Sequence, residues 1–495
     1  MPLPPLISAN LPSATGPYNV GYVPLSHPPI APFSHPHPTH VEHPGLPALK
    51  VHEVAYSVFY PASNESGGKG WLGGAGKGPA GVNWVPEPFW GVVRGYEKFF
   101  EGKTGQPGGR GMKWLVGTLG YIAGRLKIPV YPFAPLLAPR SSTPSSSASS
   151  SEKYPLVIFS HGLAGTRHTY SQFCAGLASE GYVVLALEHR DGSGPAVCLP
   201  GSEGAGAGAE LDKGDNDAGA KERGSGIGYS SESRVMHYIR RSDLKWAEGE
   251  DKSLTHFRTL QLDIRSREIY EAYHSFKKLL APGASLPKAS VSDSGLDKKG
   301  LAKRDEWIKT LEGKVDAEDL RLTGHSFGGG TVLHILQTPS PDPLLPALPI
   351  KQAIALDPWL EPIPLPSSST KAHPAMPPLL VINSIGFTEW SVHFKRLMGM
   401  IKESQGWLMT IHGVGHQSFS DFPLLDPRSH AQAKLLLNKI HDLSTSFLSH
   451  NLESSPDIKD KTADQGKYET ETGYGGMKIK KGADGEVVLH LKGKE

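Results

Sequence analysis

The chain has 495 residues, 38% of them hydrophobic, and a formal net charge of +2. So small a positive balance gives no argument for nucleic acid binding, and two cysteines, Cys174 and Cys198, supply neither a disulfide framework nor a metal site. No run of about 18 apolar residues occurs, so no transmembrane helix is expected. The start, Met1 to Asn10, lacks the charged head and unbroken apolar core of a secretory signal. With thiols this sparse, the expectation is a cytoplasmic protein.

Residues 1–47 form a Pro/His-rich extension, carrying His27, His35, His37, His40 and His43 among many prolines. An extended polyproline-like strip is preferred there over a metal site. Val51 to Tyr60 reads as the first strand, inside a domain expected over 48–450. Between Trp84 and Ile122 aromatics and aliphatics crowd together. Met112 to Leu126 would make a short amphipathic helix, with Trp114 and Leu115 as its apolar anchors. Such a segment either rests in a lipid interface or packs as a cap over the core. The Ser-rich run 141–151 is expected as a surface loop.

Tyr154-Pro155-Leu156-Val157-Ile158-Phe159-Ser160 reads as a buried strand and runs into His161-Gly162-Leu163. A His-Gly pair at that place suits an oxyanion loop, with the Leu163 N–H as donor. His161 itself is read as a loop-packing residue. Residues 192–256 are expected as a largely disordered, Gly-rich insertion. Leu262 to Leu280 reads as a helix whose Lys and Arg residues form the solvated face. Residues 284–306 read as a polar loop, and 451–495 as a polar tail whose Val487–Leu491 run is left out of the core.

The most informative stretch is Gly324-His325-Ser326-Phe327-Gly328, between a strand-like run at Leu320–Thr323 and a helix-like run at Thr331–Gln337. That context is what a nucleophile elbow needs. The serine sits on a sharp turn, so the residues two before and two after must be small. The N–H of Phe327 is then free to donate to an oxyanion. A hydroxyl needs a base and an orienting acid to become a nucleophile. In α/β-hydrolases these follow as acid, then histidine. Lys351–Leu356 reads as a strand with Asp357 at its end; Pro377–Asn383 and Gly406–Ile411 read as the next two. The intervals from Ser326 to Asp357, 31 residues, and from Asp357 to His416, 59 residues, each leave room for a helix and a strand, as parallel pairing requires. Two bases remain open on these grounds: His412 lies closer to the strand, and His416 sits in a Gly-rich loop suited to reach. Asp421 is a fallback acid that breaks the chain order.

Several motifs together resemble a known family. The run Val157–Leu163 is similar to the platelet-activating-factor acetylhydrolases of the secreted and type II intracellular kind. So are Leu177–Val184 with Glu188-His189-Arg190-Asp191-Gly192-Ser193, the elbow itself, Leu356-Asp357-Pro358-Trp359, and His416–Phe422. The resemblance implies an α/β-hydrolase fold, a mostly parallel sheet flanked by helices. It implies Ser326, Asp357 and His416 as a triad, which moves the base to His416, and Leu163 and Phe327 as backbone donors. The implied activity is hydrolysis of short, typically acetyl, acyl esters at the sn-2 position of phospholipids. The alternatives are a general carboxylesterase or lipase and a catalytically dead scaffold that only binds. No residue calls for a metal or organic cofactor. The expected partner is phospholipid, with peripheral membrane contact through Trp114 and Leu115.

Overall fold

In a computed structural model of the chain, described residues are 10–41, 43–51, 53–63, 79–104, 124–139, 153–199, 234–286, 298–364, 376–463, 468–470 and 477–493. A ten-stranded sheet organises them. Its strands are β1 Asn19–His27, β2 Val54–Ala62, β3 Tyr131–Pro132, β4 Tyr154–Ser160, β5 Val183–Glu188, β6 Val315–His325, β7 Ile350–Leu356, β8 Leu379–Asn383, β9 Trp407–Ile411 and β10 Val487–Leu491. The spatial order is β10-β9-β8-β7-β6-β4-β5-β2-β1-β3. From β9 through to β5 every neighbouring pair is parallel, while β10 joins β9, and β2 joins β5, antiparallel.

Parallel strands need long crossovers, and those from β4 to β5, β5 to β6, β6 to β7 and β8 to β9 carry helices, which cover both faces of the sheet. The helices are α1 Phe89–Thr104, α2 Ser171–Ser179, α3 Leu254–Leu279, α4 Lys298–Ile308, α5 Phe327–Gln337, α6 Ile385–Glu389, α7 Ser391–Glu403 and α8 His430–Leu448. Strand alternation divides the core in two. In β4, Leu156 and Ile158 face α3, α4, α5 and α7, whereas Val157 and Phe159 face α2 and α8. A period of two therefore carries apolar residues on both faces, which is why these strands read as unbroken apolar runs. Helix α3 begins where the Ser253 hydroxyl accepts the His256 N–H at 3.1 Å, and Lys277 and Lys278 close its last turn.

Four expectations need correction. The N-terminal extension is not a strip outside the domain, because β1 pairs with β2 over its whole length. Pro24 is tolerated there because β3 covers only Gly21 and Tyr22, so the rest of β1 is an edge. The late run Val487–Leu491 belongs to the sheet, with Val487 and Leu489 buried. The insertion 192–256 has ordered ends: Ala196–Leu199 pairs antiparallel with Arg234–His237, and α3 starts at Leu254. The polar loop 284–306 contains most of α4. Residues 105–123, 140–152 and 200–233 lie outside the described residues, and with them Trp114, Leu115 and the Ser-rich run. Among the described residues no helix is long and apolar enough to cross a membrane.

Candidate active site

The site lies at the carboxyl ends of the parallel strands. Ser326 follows β6 with φ 57° and ψ −117°, a conformation that L-residues avoid. Its backbone is tied down on both sides. The Ser326 N–H donates to Leu356 O at 2.9 Å, and its carbonyl accepts from Gly330 and Trp359, each at 2.9 Å. Small residues around it are a steric need. A Cβ on Gly324 would meet Gly328 O at 2.4 Å, and one on Gly328 would meet Ser160 O at 2.0 Å.

The predicted partners come together. Ser326 Oγ and His416 Nε2 are 2.9 Å apart, and His416 Nδ1 and Asp357 Oδ2 are also 2.9 Å apart. Asp357 follows β7 with φ 42° and is fully buried. Its Oδ1 accepts the Ser384 N–H at 2.5 Å, which leaves Oδ2 for the imidazole. The His416 ring lies flat against Phe387, with centroids 4.7 Å apart and planes at 2°. On another side it meets His325 at 4.6 Å. Burial, and after it the nearby His416, hold His325 well below the usual histidine range, so it stays neutral. The Gly162 N–H donates to the Tyr170 hydroxyl at 3.2 Å. The Tyr170 proton is thus left for His325 Nδ1, 2.8 Å away.

The alternatives find other employment. His412 is buried against the C-terminal segment: its N–H donates to Glu486 O, its carbonyl accepts from Gly485, and its ring packs on Gly482. Asp421 caps α2, accepting from the Ser171 and Gln172 N–H groups, the Ser171 hydroxyl and Trp84 Nε1. His161 is fully buried, as a packing residue would be. Cys174 and Cys198 are buried as well.

Leu163 lies in the loop after β4, and Phe327 opens α5. Neither N–H has a hydrogen-bond partner among the described residues. The loop presses close to the elbow: a Cβ on Gly162 would meet Ser326 Cβ and the Tyr170 hydroxyl, each at 3.0 Å. Among the described residues, His325, Asp357 and His416 are the one group whose spacing, within 4.8 Å, suits a cation. Both His416 nitrogens and His325 Nδ1 already have protein partners, so the group is a poor fit to a metal.

Beneath the loop lies a second polar cluster that the sequence reading missed. Ser160 Oγ and His189 Nε2 are 2.7 Å apart, as are His189 Nδ1 and Glu268 Oε2. Arg265, fully buried, reaches the same cluster from α3. It contradicts the expectation that this helix keeps its Arg and Lys residues in water. A signal existed: Gln261, Arg265 and Glu268 follow helical spacing on the buried side of α3. Polar residues at core spacing mark a buried network rather than a solvated face.

The description "Platelet-activating factor acetylhydrolase, isoform II" belongs to the family model that matches residues 137–445. The chain is 30% identical over 315 residues to a platelet-activating factor acetylhydrolase of Canis lupus familiaris, covering 63% of this chain and 56% of that one. For the protein of the same name from Cavia porcellus the figures are 29% over 358 residues, 72% and 64%. The chain thus spans less than two thirds of the length of these curated relatives. A shorter match, 61% identical over 41 residues and covering 8% of this chain and 9% of that one, is to a putative phospholipase A2 of Schizosaccharomyces pombe. Among solved structures it is similar to a ferulic acid esterase from Streptomyces cinnamoneus, at 14% identity and a TM-score of 0.46, covering 92% of this chain and 96% of that one. The family model spans more than half of the chain, and the chain belongs to the platelet-activating factor acetylhydrolase, isoform II, family.

Proposed function

We propose that the chain is a serine esterase that hydrolyses the sn-2 acyl ester, short or acetyl, of phospholipids such as 1-alkyl-2-acetylglycerophosphocholine. The observation that carries this is the unbroken hydrogen-bond chain Ser326–His416–Asp357, set on a strained elbow. His416 Nε2 takes the Ser326 proton as Oγ attacks the carbonyl carbon, and Asp357 steadies the imidazolium. The N–H groups of Leu163 and Phe327 receive the oxyanion. The lyso-lipid alcohol leaves with the proton from His416, and the acyl group stays on Ser326. Water, deprotonated by His416, then releases the acid. The name shared by the relatives supports an acetyl ester of a lipid as substrate.

Purified protein should cleave acetylated phosphatidylcholine much faster than the long-chain form. Equal rates, or a preference for simple esters, would favour a general carboxylesterase or lipase. Brief incubation and mass analysis should find the acyl group on the peptide bearing Ser326.

In this reading the protein is cytoplasmic and meets membranes peripherally, with Trp114 and Leu115 as anchors. Helix α1, earlier in the same aromatic-rich stretch of sequence, leaves Trp90 55% and Phe100 43% exposed, which supports an apolar contact surface on that helix. Changing Trp114 and Leu115 together to Ser should weaken binding to phospholipid vesicles and spare hydrolysis of a water-soluble ester. A parallel fall in both would mean packed core instead.

A further inference from the structure

We infer that Arg265 is the positioning residue that sets both oxyanion donors, an inference that rests on the serine-esterase reading above. A loop that offers one N–H to a transition state must have its other polar groups engaged, or it will shift to satisfy them. That engagement is visible. The His161 carbonyl accepts from Arg265 Nη1 at 2.6 Å. The Gly162 N–H goes to Tyr170, and the Gly162 carbonyl accepts from Gly165 at 3.1 Å. The Ala164 N–H donates to Ser193 O at 2.8 Å. The Leu163 N–H has no such partner among the described residues.

Arg265 links these anchors. Its Nη2 donates to Ser193 Oγ at 2.6 Å and its Nε to Asp191 Oδ2 at 2.8 Å. The Ser193 hydroxyl in turn donates to Asp191 Oδ1. The segment whose carbonyl holds Ala164 is thus held by the same guanidinium that holds His161. The guanidinium carbon also lies 4.4 Å from the centre of the Phe327 ring, and Phe327 carries the other donor. One planar fork therefore fixes the loop on one side and the start of α5 on the other. Lysine, a point charge without the fork, cannot make these contacts together.

The test compares Arg265→Lys with wild type, counting competent sites by titrating Ser326 to completion with a fluorophosphonate. The probe for the oxyanion site is a trifluoromethyl ketone analogue, which adds to Ser326 and forms a tetrahedral oxyanion. Per titrated site, kcat should fall about tenfold or more, with KM within about twofold, a partial loss of what a whole oxyanion donor supplies. The inhibition constant of the ketone should rise by the same factor. A purely structural role would lower the number of titrated sites and leave kcat and ketone affinity per site unchanged; that result overturns the inference. If Arg265→Lys does not fold, Ser193→Ala decides, since it keeps the Arg265–Asp191 pair. Its kcat and ketone affinity should fall together by a smaller factor, and wild-type values for both would overturn the inference. Turnover surviving in Ser326→Ala would refute the serine-esterase reading instead.

Discussion

Two serine–histidine–carboxylate chains lie beside one loop. Ser326–His416–Asp357 and Ser160–His189–Glu268 share the same atoms in the same order, with spacings of 2.9 Å in the first and 2.7 Å in the second. Their surroundings differ. Ser160, His189 and Glu268 are each at most 1% exposed, whereas the His416 side chain is 34% exposed. Ser160 ends a regular strand, while Ser326 is held at positive φ with a helix opening behind it. Burial pushes His189 well below the usual histidine range and Glu268 well above the usual carboxylate range. The buried chain, closed off from substrate, is a hydrogen-bonded brace. Three residues in a row do not make a nucleophile; access, a strained turn and spare N–H groups nearby do.

The comparison breaks most sharply at the serines. Ser326→Ala should cost at least roughly 10³-fold in turnover with the fold intact. Ser160→Ala should leave turnover per folded molecule within a few-fold, and instead cost about 1–3 kcal/mol of stability by stranding buried partners. Urea unfolding beside steady-state kinetics separates the two, and near-wild-type turnover in Ser326→Ala would remove the distinction. His416→Ala should be about as damaging as Ser326→Ala, because such members act as a unit. His412→Ala should retain substantial activity, and the reverse pattern would move the base.

A subtler probe is pH. His161, beside His189 and Arg265, is pushed down to about 3 by burial first and by Arg265 next. The folded state thus binds fewer protons than the unfolded chain between about pH 3 and the ordinary histidine value of 6.5. Its contribution to stability is present above about pH 6.5 and is lost as pH falls toward 3, by at most about 1.4 kcal/mol per pH unit. His161→Gln should flatten that slope in urea titrations at pH 7 and 5; an unchanged slope would mean that this histidine is not held neutral. The smallest expected effect is none: a chelator should leave turnover unchanged. Reversible loss restored by Ca²⁺ would point to a different class of phospholipase.

The sheet centre and the candidate triad were legible because each rests on local signals. Unbroken apolar runs mark doubly covered strands, and the elbow glycines are demanded by contacts only 2.0–2.4 Å away. Choosing His416 over His412 needed the resemblance, since only tertiary structure shows the His412 backbone held by Glu486 and Gly485 and its ring packed on Gly482. The outer strands were illegible for another reason. β1 carries Pro24 within a His- and Pro-rich context, and β10 follows a charged tail, so their pairing is decided by sheet edges far away in sequence. Arg265 was misread because a charge on a helix is usually solvated, and only its partners on other elements justify its burial.

The pairing of β10 with β9 also bears on how the molecule behaves in company. All five residues of β9 are buried, and β10 satisfies the backbone along its outer side. His490 locks the pair from within, 2.8 Å from Thr410 and against Phe394. Strip β10 away and β9 becomes a bare, flat, apolar edge, the template on which neighbouring chains add strands. Proteolysis just before Val487 should thus yield a species that self-associates, with β10 no longer shielding that edge.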